Sequence, residues 1–179
     1  MSKKSETLIR FGEFVKRQQE AGKEDWTKER DEWLQSLNEL YKTIESFLSD
    51  FRGNGAEVRY KDIDLNEENI GSYKARQMIL SIGRTEIILT PVGTMFLGMK
   101  GRVDVEGPAG QTRLVLVDRD ATGPKTKITI RIGSAQPPIE TPEKAPTWTW
   151  KLETRPPVVK YLDLTREEFL QALLEVAGA

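Results

Sequence analysis

Cysteine and histidine are both missing from this chain of 179 residues. The first absence excludes a disulfide scaffold, a CxxC redox site and a thiolate zinc site. The second removes the commonest general base and the commonest transition-metal ligand. Ser-His-Asp and Cys-His nucleophile systems, HExxH zinc sites and facial-triad iron sites therefore cannot be built. Chemistry resting on carboxylates, lysine or tyrosine stays open, as do oxygen-ligated Mg²⁺ and Ca²⁺ sites.

A surplus of charge is missing too: 27 basic side chains stand against 28 acidic ones. The balance also holds locally. Only residues 121–155 lean positive, with six basic side chains against three acidic ones. Nucleic-acid binding draws most of its affinity from Lys and Arg neutralising phosphates, so no nucleic-acid partner is expected. Long apolar runs are absent as well. No segment approaches the ~18 consecutive apolar residues of a membrane span. The N-terminal MSKKSETLIRFGEF lacks the apolar core of a secretion signal. The expectation is a cytoplasmic, bacterial protein with no membrane partner and no cofactor.

What is present suits a globular fold. Hydrophobic residues make up 37% and charged residues 31%, which argues against wholesale disorder. Residues 5–21 read as a helix on the recurrence of Leu8, Phe11 and Val15, with Ile9 and Phe14 beside them, and Gly22 can close it. A second helix, capped by Asp25 or Thr27, follows. In it Trp33, Leu37, Leu40, Ile44, Phe47 and Phe51 alternate at spacings of four and three, a heptad seam. Leu34, Tyr41 and Leu48 widen that seam beyond what a two-stranded coiled coil uses, so a helical hairpin or packing on a sheet is expected. Gly53 and Gly55 end the helix.

From Glu57 the pattern becomes period-2 and β-branched, with regular turn residues. Strands are expected near 57–65, 73–82, 85–91, 94–98, 101–106, 112–118, 125–132 and 147–153. The short breaks imply antiparallel hairpins, because parallel strands need long crossovers. SAQPPIETPEKAP, residues 134–146, reads as a proline-rich loop. A last helix starts at a capping box, Thr165 with Glu168, and a hydrophobic staple, Leu164 with Phe169. Leu170, Leu173, Leu174 and Val176 give it a buried side, and Gly178 ends it.

LVLVDRDATGP, residues 114–124, resembles the first motif of haloacid-dehalogenase-type phosphatases. The resemblance implies Asp118 as nucleophile and Asp120 as handler of the leaving-group proton. It also implies a parallel sheet, a Lys and a later acidic pair holding Mg²⁺. The residues themselves read as a hairpin turn, for which Asp, Thr, Gly and Pro are the expected types. Trp148 and Trp150 alternate on one strand face, which reads as core; with Tyr73 they could instead line a ligand site inside the curled sheet.

The fold expected is α+β: an N-terminal helical hairpin over residues 1–54, then residues 55–179 as an antiparallel meander with a C-terminal helix. The meander would have seven or eight strands, as a curled sheet or a partly closed barrel; in outline it resembles PH-like barrels, which carries no function. The function expected is a non-enzymatic protein–protein interaction or adaptor role, as an accessory subunit. The alternatives are a small-ligand module and, remotely, a Mg²⁺-dependent phosphoryl-transfer enzyme using Asp118 and Asp120. The candidate partner surface is Trp26, Trp33, Leu37, Leu40, Tyr41 and Ile44 on the second helix, joined by Met95, Phe96 and Met99 from the charge-free run 87–99. Another protein or a second copy would bind there through the N-terminal helices.

Overall fold

The computed structural model describes residues 3–94, 98–124 and 145–179, with side chains in the first segment at 9–17 and from 26 onward. One uninterrupted helix, α1 (Lys3–Phe47), stands where the sequence suggested a hairpin of two. The expected break at Gly22 does not occur. A single interior glycine costs only ~1 kcal/mol relative to alanine. Its neighbours, Lys16 to Ala21 on one side and Lys23 and Glu24 on the other, are helix formers, and no proline lies nearby. A short 3₁₀ turn (Ser49–Phe51) closes the helix.

Seven strands follow in a single sheet: β1 (Ala56–Glu67), β2 (Gly71–Ile82), β3 (Thr85–Gly93), β4 (Met99–Gly107), β5 (Gly110–Asp118), β6 (Trp148–Glu153) and β7 (Tyr161–Asp163). Their spatial order is their chain order and every pairing is antiparallel, so this is a meander. β1 and β7 are its two edges and do not meet, so the sheet is not closed. Thr94 and Gly98 sit in bend and turn rather than in the strand expected at 94–98; the ladder resumes at Met99. The physical cause lies just upstream. Pro91 has no N–H to give the ladder, and the β3–β4 register shifts between Pro91 and Gly93. The strand expected at 125–132 lies outside the described residues. β7 was not anticipated. The last helix, α2 (Arg166–Ala177), starts where its capping box put it: the Thr165 hydroxyl accepts from the Glu168 N–H. Its buried side is Phe169, Ala172, Leu173 and Val176, whereas Leu174 is turned outward, about half exposed.

The sheet forms a trough that α1 occupies. Trp33, fully buried, lies on the trough floor against Gly101 of β4, so closely that a Cβ there would stand 2.1 Å from the indole ring. On one flank the Tyr41 hydroxyl donates to the Arg76 carbonyl of β2 at 2.6 Å, and the Tyr41 ring meets Tyr60 of β1 at 5.6 Å. On the other flank Trp150 of β6 packs at a tilt against Trp33 at 5.9 Å and donates its indole N–H to the Ser36 carbonyl. α2 fills the remaining length of the same face. Phe169 meets Phe47 at 6.1 Å, Arg166 pairs with Asp50 at 2.6 Å, and the Ala109 N–H donates to the Val176 carbonyl. Helices and sheet thus share one core, with Leu37, Leu40, Ile44 and Leu48 from α1, Leu80, Leu89, Val103 and Leu114 from the sheet, and Leu173 from α2. The opposite sheet face carries a small second cluster of Val115, Val117, Ala121 and Tyr161, with Met99 packed against it.

Candidate functional site

The one helix has two unlike halves. From Trp33 onward its apolar side chains are core. From Ile9 to Arg17 every position is exposed. Relative exposures there are 59% for Ile9, 64% for Phe11, 52% for Phe14 and 39% for Val15. At 3.6 residues per turn, Phe11, Phe14 and Val15 fall within an arc of about 100°, and Ile9 lies on the opposite side. The Phe11 and Phe14 rings lie side by side at 6.3 Å. At 1.5 Å per residue, Val15 and Ile9 stand about 27–36 Å along the axis from Trp33. The stripe occupies roughly the same half of the helix surface as the buried residues of the trough. α1 therefore extends its docking side beyond the sheet that it docks on.

The sequence made Leu8, Ile9, Phe11, Phe14 and Val15 the short arm of a hairpin, folded back to cover the second helix. A straight helix cannot fold back, so the stripe loses that partner. The signal that could have revealed this is modest: an unbroken series of helix formers on both sides of Gly22.

The expected partner-facing residues are placed differently. Trp33, Leu37, Leu40, Tyr41 and Ile44, expected to face a partner, are all 2% exposed or less and belong to the chain's own core. The correction follows from magnitude. Fully burying each of these side chains is worth ~1.5–3 kcal/mol, and the trough offers a complementary floor and two walls. Trp26 is partly exposed, at the point where the helix leaves the trough. Met99 is half-buried in the small cluster on the other sheet face, away from the helices. Met95 and Phe96 lie outside the described residues.

The root of the projecting half is fixed by charge and by packing. Lys100 of β4 forms an ion pair with Glu32 and lies over the Trp148 ring at 5.9 Å. Its hydrogen bond, then its charge, hold the Glu32 carboxyl below the usual carboxylate range. Nearby, the buried Glu67 carboxylate accepts from the Thr94 N–H and hydroxyl, each at 2.8 Å, and from the Tyr73 hydroxyl. This ties the end of β3 to the β1–β2 turn, across Gly93, where any Cβ would come within 2.8 Å of the carboxylate. Burial, reinforced by Glu67, pushes the Tyr73 phenol well above its ordinary value.

The other candidate residues are engaged in structure. Trp148 and Trp150 line a surface groove of about 290 Å³ between α1 and β6, with Ser36, Glu39, Thr43 and Leu164 among its walls. Tyr73 is not part of it. The Asp118 carboxylate accepts from the Asp120 N–H at 2.9 Å, and the Ala121 N–H donates to the Asp118 carbonyl. That is a turn held by its own side chain. The sheet around it is antiparallel throughout the described residues, unlike the parallel sheet that the phosphatase resemblance implies. Among the described residues no group of three or more acidic side chains is placed to hold a metal ion. No helix among them is long and apolar enough to cross a membrane. Compared with family models, curated proteins and solved structures, the chain matches none.

Proposed function

We propose that this chain is a non-enzymatic interaction protein, an adaptor or accessory subunit whose projecting half of α1 is the partner-binding element. One observation carries the reading: Phe11, Phe14 and Val15 form an exposed apolar stripe on the same helix whose continuation is core. Clustered exposed apolar side chains mark interaction sites, whereas scattered ones need no explanation. An amphipathic helix offering anchors at i, i+3 and i+4 is also a recurring recognition element.

Magnitude narrows the kind of partner. Burying the three side chains gains at most roughly 5–9 kcal/mol gross. Association costs about 4–15 kcal/mol in lost freedom before any contact is counted. Three side chains alone therefore give weak binding, and the partner must supply a surface as long as the arm. Other surfaces are less suited. One edge of the sheet, β1, carries Glu57, Arg59, Lys61, Asp62 and Asp64 along its length, charge of the kind that discourages strand addition, and the other, β7, is only three residues long.

The test is affinity capture with the full chain beside a Phe11→Glu/Phe14→Glu variant. Equal unfolding midpoints with loss of a reproducible bound protein support the reading. An unchanged set of bound proteins contradicts it. A second reading, a small-ligand module, rests on the groove beside Trp148 and Trp150. It requires a ligand that changes tryptophan emission in the full chain and not in a Trp148→Ala variant.

A further inference from the structure

We infer that the occupant of the projecting half of α1 is the same half of a second copy, paired antiparallel. This rests on the interaction reading above and names its partner. The first support is charge. Residues 3–17 carry five basic and two acidic side chains, net +3; residues 18–32 carry three basic and six acidic, net −3. Two parallel arms would set like halves side by side. Two antiparallel arms, with residue i level with residue 35−i, set each basic half against an acidic half. That register brings Arg10 level with Asp25, against one like pair, Glu6 with Glu29. Opposite charges at such positions select both partner and orientation in paired helices.

The second support is size. The register that matches the charges places Phe14 level with Ala21 and Phe11 two residues from Gly22. Large side chains then face positions of small ones, the arrangement that lets paired helices interdigitate. It also gives Gly22 a use. A glycine inside a helix costs about 1 kcal/mol relative to alanine, and close approach of a second helix is one use for it. The third support is number. Each copy contributes its own stripe, so six apolar side chains are buried instead of three, over the full length of arm that the stripe needs. The two sheets would sit at opposite ends of the paired arms, with the two Trp33 residues about 46 Å apart along the axis.

The experiment uses the absence of cysteine in the native chain, so that each introduced thiol is unique. Light scattering across a concentration series is run on the unmodified chain, on Phe11→Glu/Phe14→Glu and, should that variant misfold, on Val15→Arg. In parallel, Thr7→Cys and Lys28→Cys chains are oxidised separately and as a mixture. The mass is expected to rise with concentration from 20.4 kDa to twice that value, with association about tenfold weaker or worse in the variants. Only the mixture is expected to form disulfide-linked pairs, because identical positions in this register lie about 32 Å apart. A mass of 20.4 kDa at every concentration would overturn self-pairing. If the variants then still lose a captured protein, the interaction reading survives without it; if they lose none, both fall. Disulfide formation by Thr7→Cys chains alone would overturn the antiparallel arrangement. A dimer indifferent to the variants would place the interface elsewhere and overturn the inference.

Discussion

The half of α1 that lies in the trough and the half that leaves it both carry an apolar helical repeat and have opposite fates. Trp33, Leu37, Leu40 and Ile44 recur at spacings of four and three, and so do Leu8, Phe11 and Val15. The first set is buried to 2% exposure or less; Phe11 and Val15 of the second stand 64% and 39% exposed. Periodicity is thus a statement about which side of a helix wants cover. It does not say what supplies the cover. Here the sheet supplies it as far as Gly101 and Lys100 of β4, and the helix runs on without it.

The sharpest way to break this contrast is to truncate one aromatic from each half. Trp33→Ala is expected to cost about 3–5 kcal/mol of unfolding free energy, since it empties the trough floor. Phe11→Ala or Phe14→Ala is expected to change monomer stability by no more than about 0.5 kcal/mol. Urea titrations at low protein concentration, where any self-association is dissociated, check both. Next in size is Gly101→Ala. Its Cβ would enter the Trp33 ring at 2.1 Å, and the backbone and indole must move apart. An overpacking loss of about 1–3 kcal/mol is expected, again by urea titration.

Alkaline pH probes the sheet-packed half alone. All four tyrosines, Tyr41, Tyr60, Tyr73 and Tyr161, have phenols held above their ordinary value, in each case by burial first. Carboxylates reinforce the effect at Tyr60 through Glu45, at Tyr73 through Glu67 and at Tyr161 through Glu153. A phenol whose folded pKa is raised favours the folded state fully below its unfolded value, ~10, and that contribution is lost as pH rises. Tyrosinate absorbance is therefore expected to lag behind a free-tyrosine titration above pH ~10 and then to appear together with loss of circular dichroism. Early ionisation in a folded chain would contradict the packing of these rings. The smallest effect is at the junction. Glu32→Gln removes the Lys100 pair, which is 22% and 43% exposed at its two side chains. After discounting for solvent, less than about 1 kcal/mol is expected. Because the Glu32 carboxyl is depressed, its contribution is present above its unfolded value and lost as pH falls through the folded one. The difference between wild type and variant should close in acid.

The α+β class, the antiparallel meander and the C-terminal helix with its Thr165 cap were all legible, because each is written in local pattern. Period-2 runs between turn residues give hairpins, and a capping box gives a helix start. Three features were not. The continuity of α1 through Gly22 turned on a competition of about 1 kcal/mol between one glycine and its helix-forming neighbours. The loss of the strand expected at 94–98 was hidden because a run without charge looks the same in a strand and in a bend; Thr94 and Gly98 lie in bend and turn, just after the register shift between Pro91 and Gly93. β7 spans three residues after Pro156 and Pro157, too few for any period to show. The candidate surface suffered from the first of these. A hairpin would give Phe11, Phe14 and Val15 an intramolecular cover and leave Trp33 and its neighbours to face a partner, whereas the sheet claims Trp33 and its neighbours instead.

The central claim is that Ile9 to Arg17 of α1 belong to no core among the described residues. Its most direct test is urea unfolding of a chain lacking residues 1–25, beside the full chain carrying Phe11→Glu/Phe14→Glu, so that self-association does not enter the comparison. Equal midpoints and a truncated protein that stays soluble are expected. A truncated chain that aggregates, or unfolds more easily by more than about 1 kcal/mol, would mean that the projecting half is part of the fold and not a surface for a partner.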